Sequence, residues 1–281
     1  MRPSLNMVLF NAGGLGVLLF LGVYMVNSFF HKEEIAVCQA RYGNGVRFSL
    51  TGNNGHKFTS LELQARLSSR EWGLLNNARV VETPDGKAQF LQVALGAEGQ
   101  DDDEQEAAGH DGVGFLWNLT DLKNAHAACL SYRLFLPKDF SFDVPGNLPG
   151  LYATREAEDV DAQALEAGFV SRLAWQKDGD IGMTFQNAGN PQSWIGSAGK
   201  QVWPVGRWVD VTQEVVLNTP GKPNGLMRVW IDGHLQIEKI GLNLIGKEPI
   251  GLSGVVADLG YAQANGPSGR LTISPFVVQR Q

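Results

Sequence analysis

Trp208-Val209-Asp210-Val211-Thr212-Gln213-Glu214-Val215-Val216-Leu217-Asn218 alternates side-chain character over most of its length. Successive side chains of an extended chain point to opposite faces, so Val209, Val211, Gln213 and Val215 share one face and Asp210, Thr212 and Glu214 the other. Such alternation predicts a half-buried antiparallel strand. Working outward, short segments rich in β-branched and aromatic residues, bounded by Gly, Pro, Asn or Asp, recur at 128–136, 169–175, 182–186, 226–231, 234–239 and 271–278. Asp232-Gly233, between two of these runs, predicts a two-residue hairpin. No sustained amphipathic helix interrupts this part of the chain, so nothing is available to cover both faces of a parallel sheet. The expectation is an all-β fold, an antiparallel two-sheet jelly roll of the concanavalin-like β-sandwich type. The 34 glycines fit many tight turns between short strands.

Upstream, residues 88–95 read as a further strand. Leu61, Leu63 and Leu67, set among polar residues, predict a short helix with Thr59 or Ser60 as N-cap. Residues 96–112 have no apolar periodicity and carry Asp101, Asp102, Asp103, Glu104 and Glu106, which predicts a solvated acidic loop. Consecutive carboxylates cannot all converge on one ion and the calcium-loop spacing is missing, so no metal is expected there. Without a C-x-x-C or clustered histidines zinc is not expected either, and no cofactor is indicated.

Pro3 to Phe30 contains no charged side chain, and Met7 to Val26 supplies about the ~20 apolar residues that a membrane-spanning helix needs. Arg2 precedes the run and His31, Lys32, Glu33 and Glu34 follow it, a thin bias toward an inward N-terminus. The expectation is a cytoplasmic 1–6, a single transmembrane signal anchor at 7–28, and one domain at 32–281 in the periplasm or extracellular space. A cleaved signal peptide is the alternative, disfavoured because the run exceeds the usual ~7–15-residue apolar region. Both cysteines, Cys38 and Cys129, fall on the exported side, where a bridge can form; two buried free thiols are the other reading. A net charge of −6 leaves no basic footprint for nucleic acid.

Four further stretches recur in a telling order: Asn147-Leu148-Pro149-Gly150-Leu151, Phe169-Val170-Ser171-Arg172-Leu173-Ala174-Trp175, Leu217-Asn218-Thr219-Pro220-Gly221 and Val229-Trp230-Ile231-Asp232-Gly233. In that order and spacing they resemble the core of the family-14 polysaccharide lyases, jelly-roll enzymes that cleave alginate and related polyuronates by β-elimination. The resemblance runs over residues 129–278 and implies an acidic, uronate-containing polysaccharide as partner, held on one face of a sheet. In Phe169–Trp175 the period of two puts Val170, Arg172 and Ala174 on that face and Phe169, Ser171, Leu173 and Trp175 in the core.

An arginine suits a sugar carboxylate because its planar fork pairs with it bidentately, so Arg172 is expected to bind and neutralise the uronate. Other functional positions of the family are substituted: its serine by Val170, its lysine by Asn147 with Val144 or Pro145 nearby, and its paired tyrosines by Met183 and Phe185. Candidate replacements in catalysis, beside Arg172, are Tyr152 and His126. Candidate substrate contacts are Asn147, Arg172, Arg155 and Trp194, with Trp203 and Trp208 as further stacking rings; Trp175 and Trp230 read as packing. The competing readings are a rim aromatic for Tyr152, a solvated partner of Glu156 or Glu158 for Arg155, a structural hydrogen bond for His126 and an ion pair with a neighbouring carboxylate for Arg172. Two functions follow. One is a membrane-anchored envelope protein whose domain binds an acidic polysaccharide, with β-elimination as its reaction. The other is a non-catalytic glycan-binding or structural envelope module of the same fold.

Overall fold

The computed structural model describes residues 35–43, 45–67, 71–83, 85–96, 111–154, 168–187, 190–247, 249–263 and 266–281. The expected anchor at 7–28, nearly all of the acidic loop and Arg155 lie outside the described residues. Among the described residues no helix is long and apolar enough to cross a membrane. Residues 36–281 form one compact unit.

The strands, in chain order, are β1 (Gly45–Arg47), β2 (Glu71–Trp72), β3 (Ala78–Glu82), β4 (Gln89–Leu95), β5 (Val113–Asn118), β6 (Ala127–Phe135), β7 (Gly146–Leu148), β8 (Gly150–Ala153) and β9 (Phe169–Trp175). They continue with β10 (Ile181–Asn187), β11 (Asn190–Gly196), β12 (Trp208–Val216), β13 (Gly225–Ile231), β14 (His234–Leu242), β15 (Gly254–Tyr261), β16 (Gly269–Ile273) and β17 (Val277–Arg280). They make two antiparallel sheets. One has nine strands, ordered β14-β13-β12-β6-β16-β4-β3, with β17 bridging β6 to β1. The other has eight, ordered β11-β10-β9-β7-β15-β5-β2, and β8 takes over from β7 between β9 and β15. The two-sheet antiparallel sandwich expected from the alternation is therefore present.

Most sequence-predicted strands recur within a residue or two. The exception is 271–278, which divides into β16 and β17 at Ser274-Pro275-Phe276, because a proline has no N–H to give the ladder. The predicted helix is α1 (Ser60–Arg66). Thr59 caps it through a capping box: its hydroxyl accepts from the Glu62 N–H while Glu62 takes the Thr59 N–H.

In β12 the inward set is Val209, Val211, Gln213 and Val215, as the alternation requires. These residues meet Leu130 and Leu134 of β6 and, from the other sheet, Phe169, Leu173 and Trp175 of β9 in one continuous apolar core. Glu214 points the other way, yet its side chain is only 1% exposed. The cover is the segment just before β1. Cys38 is bonded to Cys129, which lies opposite Glu214 in the β6–β12 pair. Tyr42 Oη donates to Glu214 Oε1 at 2.6 Å, Arg41 Nη2 at 2.8 Å, and Arg228 Nη1 donates to Oε2 at 3.2 Å. Burial, then the bond to Glu214, raises the Tyr42 phenol above its usual range. The bridge thus ties the start of the domain to the middle of a central strand, one of the two readings left open above.

Candidate functional site

The site is built on a break in the eight-stranded sheet. Leu148 pairs with Leu173 but Tyr152 pairs with Val170, so four residue steps in one strand run against three in the other. Such a bulge re-aims nearby side chains and strands backbone polar groups. Here the core satisfies them. Leu151 N–H donates to Gln213 Oε1 at 3.0 Å, Gln213 Nε2 donates to Ser171 Oγ at 3.1 Å, and Ser171 Oγ donates back to the Leu151 carbonyl at 2.8 Å. Tyr132 Oη donates to the Pro149 carbonyl at 3.4 Å. Gly150 is needed at the break, since a Cβ there would lie 2.1 Å from the Ser171 carbonyl oxygen. Gln213→Leu removes one bonding partner from each of Leu151 and Ser171 inside the core, and is expected to cost about 2 kcal/mol in urea unfolding.

Above this break, on the face turned away from the core, Arg172 of β9 reaches across β8 to Asp258 of β15. Its Nε donates to Asp258 Oδ2, with the two side chains 16% and 22% exposed. Strands are spaced about 4.8 Å apart, so the pair spans roughly 10 Å of sheet, open to it because Gly150 raises no side chain between them. The two Nη groups of Arg172 have no hydrogen-bond partner among the described residues. The ion pair continues outward through residues in cross-strand register. On one side Thr184 of β10 lies opposite Arg172 and Trp194 of β11 opposite Thr184. On the other, Gly114 of β5 lies opposite Asp258 and Trp72 of β2 opposite Gly114.

Each tryptophan lies over a glycine. A Cβ on Gly182 would meet the Trp194 ring at 2.2 Å, and one on Gly114 would meet Trp72 Nε1 at 2.0 Å. The result is a lane across the sheet with an indole at each end and a charge pair in the middle. Thr184 Oγ1, beside Arg172, is buried and has no hydrogen-bond partner among the described residues. Asn147 shares the face, opposite Ala174 and Gly260.

The sequence-predicted site residues separate on this framework. Arg172, Asn147 and Trp194 share the outer face of the eight-stranded sheet. Tyr152 is on the same face but fully buried, packed with Leu116, Val170 and Val256, and its hydroxyl donates to Asn118 Oδ1. Its ring is closed off there from the surface that carries Arg172, Asn147 and Trp194. His126 is exposed beside the start of β6, on the nine-stranded sheet, where its carbonyl accepts from Leu217 N–H at 2.7 Å. It is not brought together with Arg172.

Met183 and Phe185, the positions matched to the family's tyrosines, point into the core opposite Leu173 and Ser171. The groove-facing residue between them is Thr184. Trp203 is buried and donates its indole N–H to the Ala174 carbonyl at 3.0 Å. Trp208 packs on the other sheet between Phe90 and Phe135, with the Arg133 guanidinium over its ring. Sequence reasoning missed Asp258 and Trp72. The available signals were a carboxylate inside the apolar run Val255-Val256-Ala257-Asp258-Leu259 and a tryptophan preceding a glycine.

A family profile described as polysaccharide lyase 14 matches residues 83–261. Among solved structures, the chain is similar to the marine alginate lyase of that family from Aplysia kurodai, with 19% identity, coverage of 85% of this chain and 100% of that one, and a TM-score of 0.59. It is also similar to an alginate lyase from Chlorella virus, with 16% identity, coverage of 74% and 90%, and a TM-score of 0.59. A third is the endo-β-1,4-glucuronan lyase from the fungus Trichoderma reesei, with 12% identity, coverage of 73% and 88%, and a TM-score of 0.51. No curated protein matches the chain.

Proposed function

The chain belongs to the polysaccharide lyase 14 family, and on that premise we propose that the outer face of its eight-stranded sheet binds a uronate-containing polysaccharide and holds it without cleaving it. The observation that carries this reading is the lane itself. Arg172 offers at its centre two Nη groups unbonded among the described residues, while Trp72 and Trp194 flank it with ring surface suited to the apolar faces of sugars.

Elimination needs more than a cation. A base must take the proton beside the carboxylate, and an acid must protonate the leaving oxygen. Among the described residues the outer face has no group free for either task. Asp258 is engaged by Arg172, and the Tyr152 hydroxyl is sealed against Asn118. Asn147 can hydrogen-bond a sugar hydroxyl but does not exchange protons near neutral pH, and the Thr184 hydroxyl is buried.

Incubating the chain with alginate and with polyglucuronate, and reading both retention and the ultraviolet absorbance of the unsaturated product, tests the reading. Saturable retention of at least one of them, without product, is expected. Product formation above an enzyme-free control restores the cleaving alternative.

The apolar run at 7–26 supports anchoring to a membrane with the domain in the periplasm or extracellular space. The Cys38–Cys129 bridge fits an oxidising compartment. Membrane association that resists alkaline extraction, and is lost when residues 1–31 are deleted, checks the anchor.

A further inference from the structure

The charge of the lane is balanced before any ligand arrives. On the outward positions of β2, β5, β7, β8, β9, β10, β11 and β15, Arg172 is the cation and Asp258 the anion among the described residues. Among the described residues, the other outward side chains beside the lane include Asn147, Gln186 and the two indoles, with glycines between them, and the Thr184 hydroxyl is buried. A carboxylate that approaches the Nη groups of Arg172 therefore comes within a few ångströms of Asp258, which already occupies the Nε edge and repels it.

A homopolyuronate adds to this. It places a further carboxylate on every neighbouring ring, over Thr184 and Trp194 on one side and Gly114 and Trp72 on the other. Those carboxylates would lose part of their hydration, and among the described residues of this face no second cation meets them. An uncharged ring has no such cost, and its C–H face matches an indole. The net charge of −6 on the chain acts in the same direction.

We infer that Asp258 determines the class of polymer bound: the lane takes a polysaccharide whose uronates are separated by uncharged or esterified sugars, and it discriminates against a homopolyuronate. This rests on the reading of the outer face as the polysaccharide site. Asp258 acts by occupying one edge of Arg172 and by placing its own charge beside the arriving carboxylate, so it is a specificity-determining residue.

The test compares two polymers with one backbone, alginate and alginate of equal chain length in which about half the carboxylates are esterified. Their dissociation constants are measured for the full chain and for Asp258→Asn, with Asp258→Ser as a second variant and thermal unfolding as the check on folding. The wild type is expected to bind the partly esterified polymer more tightly. Either variant is expected to shift the ratio of the two constants by about tenfold toward alginate, the scale of one interaction between charges at a partly exposed site. Tighter wild-type binding of alginate, or an unchanged ratio in folded variants, overturns the inference while leaving the polysaccharide site standing. Retention of neither polymer by the wild type overturns the inference and the reading beneath it together.

Discussion

Arg172→Ala is expected to weaken retention on partly esterified polyuronate by about 30-fold or more while the protein remains folded. Truncating one member of a charge-assisted contact commonly costs about 2–5 kcal/mol in binding, and the described outer-face positions supply no second cation to substitute. The stability cost is smaller. Asp258 loses its partner, but its side chain is 22% exposed and water can take up part of the charge, so about 1–2 kcal/mol is expected. Arg172→Lys keeps the charge and loses the planar fork that serves Asp258 and the sugar together, so it falls between wild type and alanine. Affinity electrophoresis with urea unfolding separates the two effects. Unchanged retention by a folded Arg172→Ala variant removes Arg172 from the site.

The second large effect concerns the other sheet. Replacing Cys38 and Cys129 by alanine is expected to lower stability by about 4 kcal/mol, because the bridge closes a loop with a sequence separation of 91 residues. The loss is not confined to chain entropy. The bridge holds Arg41 and Tyr42 over Glu214, and a looser segment admits water to that carboxylate and its Arg228 partner. Urea unfolding of the double variant, beside the wild type with and without reductant, gives the value. A cost below about 1 kcal/mol shows that the Glu214 contacts alone secure the segment.

Much of the sandwich was legible because its strands keep the period of two. Residues 208–218 put Gln213 and Glu214 on opposite faces, and so they lie, Gln213 bonded to Leu151 of the facing sheet and Glu214 to Arg41 and Tyr42. Pattern could not show why Gln213 is tolerated there. That depends on a break between β7 and β8, whose orphaned Leu151 N–H is met from the opposite sheet. Nor could it show that Glu214 is covered, since its partners Arg41 and Tyr42 are more than 170 residues away in sequence.

The site was legible in part. The phase of Phe169–Trp175 put Arg172 on the outward face, as β9 has it, whereas Met183 and Phe185, the positions matched to the family's tyrosines, face the core and Thr184 pairs with Arg172. Asp258 was hidden because β15, buried over most of its length, has no alternation to reveal which residues face outward. Trp72 was hidden because β2 has only two residues, and no pattern can be read from two.

The most direct test follows the seven tryptophan indole N–H signals by NMR during titration with partly esterified polyuronate oligosaccharides. Trp72 and Trp194 are expected to shift together and saturably. Trp175 and Trp203, whose indoles donate to the Val144 and Ala174 carbonyls, and Trp208 on the nine-stranded sheet are expected to stay in place. Movement of Trp208 with Trp72 and Trp194 unmoved would contradict binding on the outer face of the eight-stranded sheet.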